Sequence, residues 1–236
     1  MLPPVEIRDR EDYKRSMRDL LTLDPTRTVA MTVDIQRDYV DPTVATAPVQ
    51  EDVAKSVIAS TARLLDGCRE RGVPVVHCYV VRRPQEAEQD FYSTPFGRMS
   101  RKAALSQNAA GKQRPRIDRI DGSPESELPP EIVEPGDIHV TTKRAMSSFH
   151  LTDLEMLLTR VYRPDALLIT GVNTDTCVQS TTFGASDRGY KPVLVTDCVA
   201  SMRGEDHHWM ALELMSRTIA WTLDTDAVLA KLDAKA

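Results

Sequence analysis

The chain has 236 residues, 41% of them hydrophobic, so it is long enough for one large domain or two small ones with a sizeable core. Its 30 Lys and Arg residues against 35 Asp and Glu residues give a formal charge of −5, which argues against a nucleic-acid-binding surface. No apolar run approaches the length of a membrane span and the charged N-terminus lacks a signal peptide, so we expect a cytoplasmic protein, without a membrane partner, whose four cysteines are reduced.

Apolar runs alternate with helical periodicities along the chain, which predicts an α/β fold. A charged helix over 9–22 comes first, within an N-terminal helical arm of residues 1–27 that is expected to pack on the outside of the domain or on a partner. The predicted strands cover residues 28–33, 73–81, 137–141, 166–170, 192–196 and 218–221. The predicted helices cover residues 52–71, 152–160, 205–217 and 225–232, with another that starts after residue 173 and ends at Gly189.

The segment 82–136 is polar and rich in Pro, Arg and Ser. A loop of this length without secondary structure is uncommon inside a compact domain unless it has a function or makes contacts. We treat residues 1–236 as one domain and expect this segment to be an excursion over the active site or onto another subunit, with a short helix near 95–109. A disordered linker between two domains is the alternative, but neither side alone would complete a sheet.

Right-handed crossovers leave few arrangements for the six predicted strands. We predict a three-layer, doubly wound sandwich with a mostly parallel sheet in the order 3-2-1-4-5-6, in which ligands bind at the carboxyl ends of strands one and four. Asp34 ends strand one, Cys177 follows strand four and Lys143 follows strand three. The fold would therefore place a carboxylate, a thiol and an ammonium around one crevice, which is what acyl transfer requires.

Cys177 lies where a predicted strand turns into a helix. Gly171 is expected to end the strand, and Asn173, Thr174 and Asp175 carry side chains that can cap the helix start. Unpaired N–H groups and the positive end of the helix macrodipole favour a thiolate there and can hold an oxyanion. On the local sequence alone, a small buried apolar cysteine is the alternative.

Three motifs follow the strands in order, namely Asp34-x-Gln36-x-Asp38-Tyr39, Lys143 with Ser147-x-Phe149-x-x-Thr152-x-Leu154, and Gly171-Val172-x-Thr174-x-x-Cys177-Val178. In these motifs, over residues 28–222, the chain resembles the isochorismatase-like cysteine hydrolases. The resemblance implies a catalytic triad of Asp34, Lys143 and Cys177 and no cofactor. It also implies a cis peptide bond between Val172 and Asn173, which would direct the N–H groups of Asn173 and Cys177 to one point as an oxyanion hole.

Within this family, the chain resembles the hydrolases of ureido and N-carbamoyl compounds more than the nicotinamidases or true isochorismatases. Nicotinamidases hold a metal through an Asp-x-His pair and further histidines after the second strand, where residues 80–84 of this chain contain no histidine, so no metal is expected. True isochorismatases carry a non-thiol residue at the position of Cys177. His207 and His208, at a predicted helix start, are expected to be solvated or packed.

The predicted substrate-binding residues fall into two groups. The motif residues are Gln36, Tyr39, Phe149 and Thr174. Arg203 follows strand five at a place that matches an arginine of the N-carbamoylsarcosine hydrolases, and it would clamp a carboxylate, with Arg82 and Arg83 as rivals. A surface position is the alternative for Arg203. If an unpaired arginine reaches the crevice, the substrate should carry a carboxylate beside its amide or ureido group.

The sequence thus predicts a metal-free cysteine amidohydrolase acting on a small N-carbamoyl, ureido or other amide compound. Asp34 would take the proton of Cys177, and Lys143 would lower the pKa of the thiol. The rivals are an isochorismatase-type or nicotinamidase-type hydrolase and a catalytically silent member that binds a small ligand or a partner. The family's habit of associating implies a homotetramer or homodimer.

Overall fold

A six-stranded parallel sheet organises the computed structural model, which describes residues 8, 10–45, 49–88, 95, 99 and 119–234. The strands are β1 (Thr28–Val33), β2 (Val75–Cys78), β3 (Ile138–Val140), β4 (Ala166–Val172), β5 (Lys191–Ala200) and β6 (Trp221–Leu223). Every paired strand is parallel to its neighbour, and the order is β3-β2-β1-β4-β5-β6. The predicted fold class and strand order are therefore confirmed.

Helices cover both faces of the sheet, as a parallel sheet with buried strands requires. They are α1 (Glu11–Leu20), α2 (Arg37–Val40), α3 (Glu51–Glu70), α4 (Pro84–Glu88), α5 (Leu154–Met156), α6 (Gln179–Asp187), α7 (Glu205–Thr218) and α8 (Thr225–Asp233). The core on one face includes Leu64 of α3 and Val228 of α8, and the core on the other includes Leu154 of α5 and Met215 of α7. Across the described ranges, no helix is both long and apolar enough to cross a membrane.

β4 continues through Gly171, where the strand was expected to end. Gly171 has a φ of 134°, and a Cβ at this position would lie 2.1 Å from the carbonyl oxygen of Val33 on β1. Only glycine allows both this conformation and this approach of two strands. β5 is likewise longer than predicted and runs to Ala200, whereas β6 begins at Trp221 because α7 continues through Thr218.

Helix α1 packs against its own domain. The Tyr13 hydroxyl donates to the carbonyl of Arg217 on α7 at 3.2 Å, and Trp221 Nε1 donates to the carbonyl of Met17 at 2.9 Å. Lys14 also forms an ion pair with Glu213 of α7. These contacts place the helix of the predicted N-terminal arm at the β6 edge of the sheet.

Residues 119–136, the last part of the predicted excursion, lie against the sheet domain. Two short 3₁₀ turns, Pro124–Ser126 and Pro130–Ile132, carry Ile132 into the core, where it is fully buried. The chain returns beside the end of β2, since the N–H of Arg82 donates to the carbonyl of Arg119 at 2.8 Å. The helix predicted near 95–109 falls outside the described residues except for positions 95 and 99.

A buried histidine makes the stability of this fold depend on pH. His77 is fully buried, with Nδ1 2.8 Å from Thr32 Oγ1 and Nε2 3.1 Å from Asp137 Oδ2. Burial lowers the pKa of His77 to about 4, although the carboxylate of Asp137 opposes this shift. The imidazole is therefore neutral in the folded protein at neutral pH.

We expect the free energy of unfolding to fall as the pH drops from about 6.5 to about 4. In that window the unfolded chain binds a proton at His77 and the folded chain does not, so acid favours the unfolded state. At 1.36 kcal/mol per pKa unit, the loss due to His77 is about 3 kcal/mol. Urea titrations at pH 7 and pH 4.5 should show a smaller loss for His77→Gln than for the wild type. An equal loss in both proteins would contradict the assignment.

Candidate active site

Three side chains meet at one edge of the sheet, beyond the carboxyl ends of its strands. Asp34 follows β1, Lys143 follows β3 and Cys177 follows β4. Lys143 Nζ donates to Asp34 Oδ2 at 2.6 Å, and each of these two residues is only 1% exposed. The Cys177 thiol lies beside both, close enough for the charges of Asp34 and Lys143 to act on its pKa. The structure thus brings together the three residues that the strand order predicted to be neighbours.

Asp34 is held in a conformation that leaves one carboxylate oxygen available. Its φ of 53° lies in the left-handed region, which aspartate adopts more readily than most non-glycine residues. Its N–H donates to the carbonyl of Cys78 at 2.9 Å, and Lys143 takes Oδ2. Oδ1 is buried and has no hydrogen-bond partner among the described residues. This oxygen can therefore accept the proton of the neighbouring thiol.

The thiol of Cys177 is protonated at neutral pH, in contrast to the expected thiolate. Burial and the negative charge of Asp34 raise the pKa of Cys177 to about 11, and the ammonium of Lys143 opposes this shift without outweighing it. Burial alone would lower the pKa of Lys143, but the adjacent carboxylate of Asp34 raises it above its ordinary value, so Lys143 stays charged. The resting site therefore holds a neutral thiol beside an ion pair.

Cys177 lies in a π-helical turn, Thr174–Val178, that precedes α6. The carbonyl of Asn173 accepts hydrogen bonds from the N–H groups of Thr176 at 3.1 Å and Val178 at 3.2 Å, one on each side of Cys177. The peptide bond between Val172 and Asn173 is cis, as the resemblance implied. π-helical turns are rare and occur often at functional sites.

The expected side-chain caps of this turn are absent from the described residues. No side chain caps its N-terminus, because Asn173 Oδ1 instead accepts from the N–H of Met202 at 2.8 Å. Thr174, which is fully buried, pairs through Oγ1 with His208 Nδ1 at 2.9 Å. His208 is therefore packed, in line with its expected role, and these side chains connect the Cys177 turn to the chain that follows β5.

The three arginines proposed as carboxylate clamps differ in their surroundings. Arg203 Nη1 donates to Asp175 Oδ2 at 2.8 Å, so its charge is already compensated within the chain. The side chain of Arg83 is 76% exposed and lies 3.4 Å from Glu86. Arg82 is partly buried beside the end of β2. Arg203 and Arg83 thus do not meet the condition for an unpaired arginine in the crevice, and the binding roles of all three stay predictions.

Two motif residues make contacts that hold the domain together. Gln36 is fully buried, and its Nε2 donates to the carbonyls of Val80 and Ser126, both at 2.9 Å. Its Oε1 accepts from the N–H of Val80 at 3.2 Å. The ring of Phe149 is buried and stacks on Tyr190 with the ring centroids 6.4 Å apart. The substrate-binding roles of Gln36 and Phe149, like that of Thr174, stay predictions.

A second buried ion pair adjoins the site and was not predicted. Arg119 Nη2 lies 2.5 Å from Asp38 Oδ2, with Arg119 8% exposed and Asp38 fully buried. The guanidinium also lies over the ring of Tyr39, 4.5 Å from its centroid. Asp38 belongs to the first sequence motif, and a carboxylate buried at such a position needs a cation as its partner. Nothing in the sequence pattern indicates which of the chain's arginines supplies it.

Comparison with models of protein families matches residues 28–227 to the isochorismatase domain. The chain belongs to the isochorismatase family. Among curated relatives of this hydrolase family, the ureidoacrylate amidohydrolase RutB of Methylobacterium radiotolerans is 29% identical, over 88% of this chain and 80% of that protein. A probable isochorismatase of Pseudomonas chlororaphis is 24% identical, over 88% of this chain and 87% of that protein.

Solved structures show the same fold as this isochorismatase-family chain. A cysteine hydrolase from Pseudomonas syringae pv. phaseolicola superimposes with a TM-score of 0.72 at 21% identity. The match covers 92% of this chain and 97% of that one. The likeness extends over nearly the whole chain and supports the three-layer α/β architecture.

We expect chelators to leave the activity of this family member unchanged. Within the described part of the chain, no three His, Cys, Asp or Glu residues are grouped so that they could hold a metal ion. Activity before and after EDTA treatment, together with the metal content of the purified protein, tests this prediction. Stoichiometric zinc, iron or manganese that is lost together with activity would contradict it.

Proposed function

We propose that this isochorismatase-family hydrolase is a cysteine amidohydrolase that cleaves the C–N bond of a small amide or ureido compound. The observation that carries the proposal is the thiol of Cys177 beside the buried ion pair of Asp34 and Lys143. A nucleophile next to a carboxylate base that is itself oriented by a third group is the arrangement used in covalent acyl transfer. The similarity to a ureidoacrylate amidohydrolase supports the same chemistry.

The first half-reaction uses Asp34 as the proton carrier. Asp34 Oδ1 takes the thiol proton as Cys177 Sγ attacks the substrate carbonyl carbon, so that a C–S bond forms and the carbonyl oxygen becomes an oxyanion. When the tetrahedral intermediate collapses, the C–N bond breaks and Asp34 gives the proton to the departing nitrogen. Ammonia leaves, and a thioester on Cys177 remains.

The second half-reaction returns the enzyme to its resting state. Asp34 takes a proton from a water molecule that attacks the thioester, and the proton passes to the departing Sγ of Cys177. The product is a carboxylic acid or, for a carbamoyl substrate, a carbamic acid that decomposes to an amine and carbon dioxide. Lys143 keeps its charge throughout and fixes Asp34 by holding Oδ2.

The oxyanion is assigned to two backbone N–H groups, one directly before the π-helical turn and one within it. The N–H groups of Asn173 and Cys177 are the proposed donors, since both residues belong to the chain that leaves β4 toward the nucleophile. Donors fixed in a site that excludes water stabilise developing negative charge more strongly than they would in bulk water. The proposed oxyanion donors and the nucleophile therefore belong to the same short segment after β4.

The proposal is tested by measuring ammonia release from a panel of amides and ureas. Ammonia from at least one compound, with a mass increase on Cys177 during turnover, would support it. Hydrolysis of isochorismate without ammonia release from any amide or urea would assign the chain to vinyl-ether chemistry instead. Binding without any hydrolysis would identify a catalytically silent member.

We expect the chain to form a homodimer or homotetramer. Helix α7 exposes three large apolar side chains, with Trp209 61% exposed and Met210 and Leu214 each 52% exposed. Apolar side chains grouped on one helix are typical of surfaces that another protein covers. Light scattering at micromolar concentration should give a multiple of the chain mass of 26.4 kDa, and a mass equal to one chain would overturn the expectation.

A further inference from the structure

We propose that Arg119 sets the substrate specificity of this site by donating its Nε–H to an uncharged second oxygen of the substrate, beyond the carbonyl that Cys177 attacks. The inference rests on the proposed amidohydrolase function and adds a substrate class to it. That class consists of small uncharged amides or ureas that carry a second carbonyl oxygen.

Arg119 is a buried cation with unused hydrogen-bonding capacity. Its side chain is 8% exposed, and one guanidinium nitrogen is bound by Asp38 at 2.5 Å. Its Nε is buried and has no hydrogen-bond partner among the described residues. A buried N–H without an acceptor is destabilising, because it has lost its hydrogen bond to water. A substrate oxygen at this position would remove that cost.

The guanidinium is also held in place more firmly than a surface arginine. Its central carbon lies over the ring of Tyr39, 4.5 Å from the centroid, while Asp38 binds one of its terminal nitrogens. The backbone of Arg119 has a φ of 42°, in the left-handed region. Long side chains adopt this conformation where the surrounding structure imposes it, and such residues cluster at ligand-binding and active sites. Little conformational entropy would be lost when this donor binds a ligand.

Arg119 and the catalytic ion pair belong to one site. The carboxylate of Asp34 acts electrostatically on Arg119, and the phenol of Tyr39 acts on both Arg119 and Lys143. Asp34 follows β1 directly, and Asp38 and Tyr39 lie shortly after it in the helix α2. A substrate whose reacting carbonyl lies at Cys177 can therefore extend toward the guanidinium.

The charges of the site favour an uncharged partner for Arg119. Asp34 is paired with Lys143 and Asp38 with Arg119, while the thiol of Cys177 is protonated. These groups together carry no net charge. A substrate carboxylate would add a negative charge that neither of these two ion pairs compensates, near two carboxylates in a region of weak screening. A neutral carbonyl oxygen accepts the Nε–H and leaves the balance unchanged.

Three probes of equal length test the inference: N-carbamoylglycinamide has a neutral second carbonyl, N-carbamoylglycine has a carboxylate, and propylurea has neither. We expect the wild type to show a kcat/KM for the glycinamide that is roughly tenfold or more above that for each of the other two. In Arg119→Lys, which keeps the charge but lacks the Nε–H, the ratio of glycinamide to propylurea should fall to near one. Arg71→Lys, at an arginine paired with Asp233 outside the site, is the matched control and should keep the wild-type ratio.

A double variant controls for loss of folding caused by an unpaired buried charge. Asp38→Asn with Arg119→Gln removes both charges of the pair together, so no unpaired charge is left buried, and it should lose the same preference. An unchanged ratio in both Arg119 variants, or a wild type that prefers N-carbamoylglycine, would overturn the inference.

A binding measurement separates this inference from the proposed function. Calorimetry of the three probes is carried out on Cys177→Ala protein, with either Arg119 or the Arg119→Lys change. If the wild type hydrolyses none of the probes or panel compounds, the proposed function fails. The role of Arg119 is then tested by binding alone. It is supported if N-carbamoylglycinamide binds more tightly than propylurea when Arg119 is present and equally well in Arg119→Lys, and it is overturned if the difference is the same in both proteins.

Discussion

Replacing Cys177 by alanine should abolish hydrolysis while the protein stays folded. The thiol is the proposed nucleophile, and removal of a nucleophile in a concerted set of catalytic groups costs on the order of 10⁴-fold or more in rate. Alanine is smaller than cysteine and suits the helical turn Thr174–Val178, so the circular dichroism spectrum and melting temperature should change little. Ammonia release under single-turnover and steady-state conditions is the measurement.

The matched control for this variant is Cys68→Ala. Cys68 is fully buried at the end of α3, in the core on the face that α3 and α8 cover, and burial raises its pKa to about 12. Its loss should cost some stability and leave the rate per folded molecule unchanged. A Cys177→Ala protein that releases ammonia at nearly the wild-type rate would refute the proposed mechanism.

Replacing Asp34 by asparagine should lower the rate by at least ~10²-fold, the lower end for general acid–base catalysis. The amide cannot take the proton of Cys177, so the thiol of this variant has no carboxylate base beside it. The variant should also lose about 3–5 kcal/mol of stability, because the buried ammonium of Lys143 then has no carboxylate partner. Initial rates and urea titrations on the same preparations measure both effects.

A double variant distinguishes the two effects of Asp34. Combining Asp34→Asn with Lys143→Met removes both buried charges, so most of the lost stability should return while activity does not. Activity that recovers together with stability would show that Asp34 acts only by holding the fold together. A rate within threefold of the wild type for Asp34→Asn alone would exclude Asp34 as the base, since a base contributes at least about 10²-fold.

The thiol of Cys177 differs in its pKa from the sequence-based expectation. A helix start and a nearby lysine suggested a lowered thiol pKa, and the lysine does act in that direction. Burial and the carboxylate of Asp34 are larger and opposite. The base is therefore required for the proposed chemistry, since the thiolate does not exist beforehand at neutral pH.

Local sequence pattern was sufficient for the arrangement of the sheet. Apolar runs of strand length separated by helical periodicities determined the α/β class, because parallel strands are buried on both faces. Right-handed crossovers then left few arrangements, and the common doubly wound order 3-2-1-4-5-6, which we predicted among them, is the one the structure has. Since Asp34, Lys143 and Cys177 each follow a strand, their meeting at one edge of the sheet was implied by chain order and the resemblance together.

Only the tertiary structure determined the hydrogen-bond and ion-pair partners of the polar side chains around this edge of the sheet. Asn173 binds the backbone of Met202 instead of capping a helix, and Arg119 binds Asp38 from a distant part of the chain. Gly171 continues β4 because the carbonyl of Val33 on the neighbouring strand lies where a side chain would be. Periodicity reports only local conformation and the buried face. Hydrogen bonds, ion pairs and the pKa of a buried thiol depend on groups that come together only when distant segments pack.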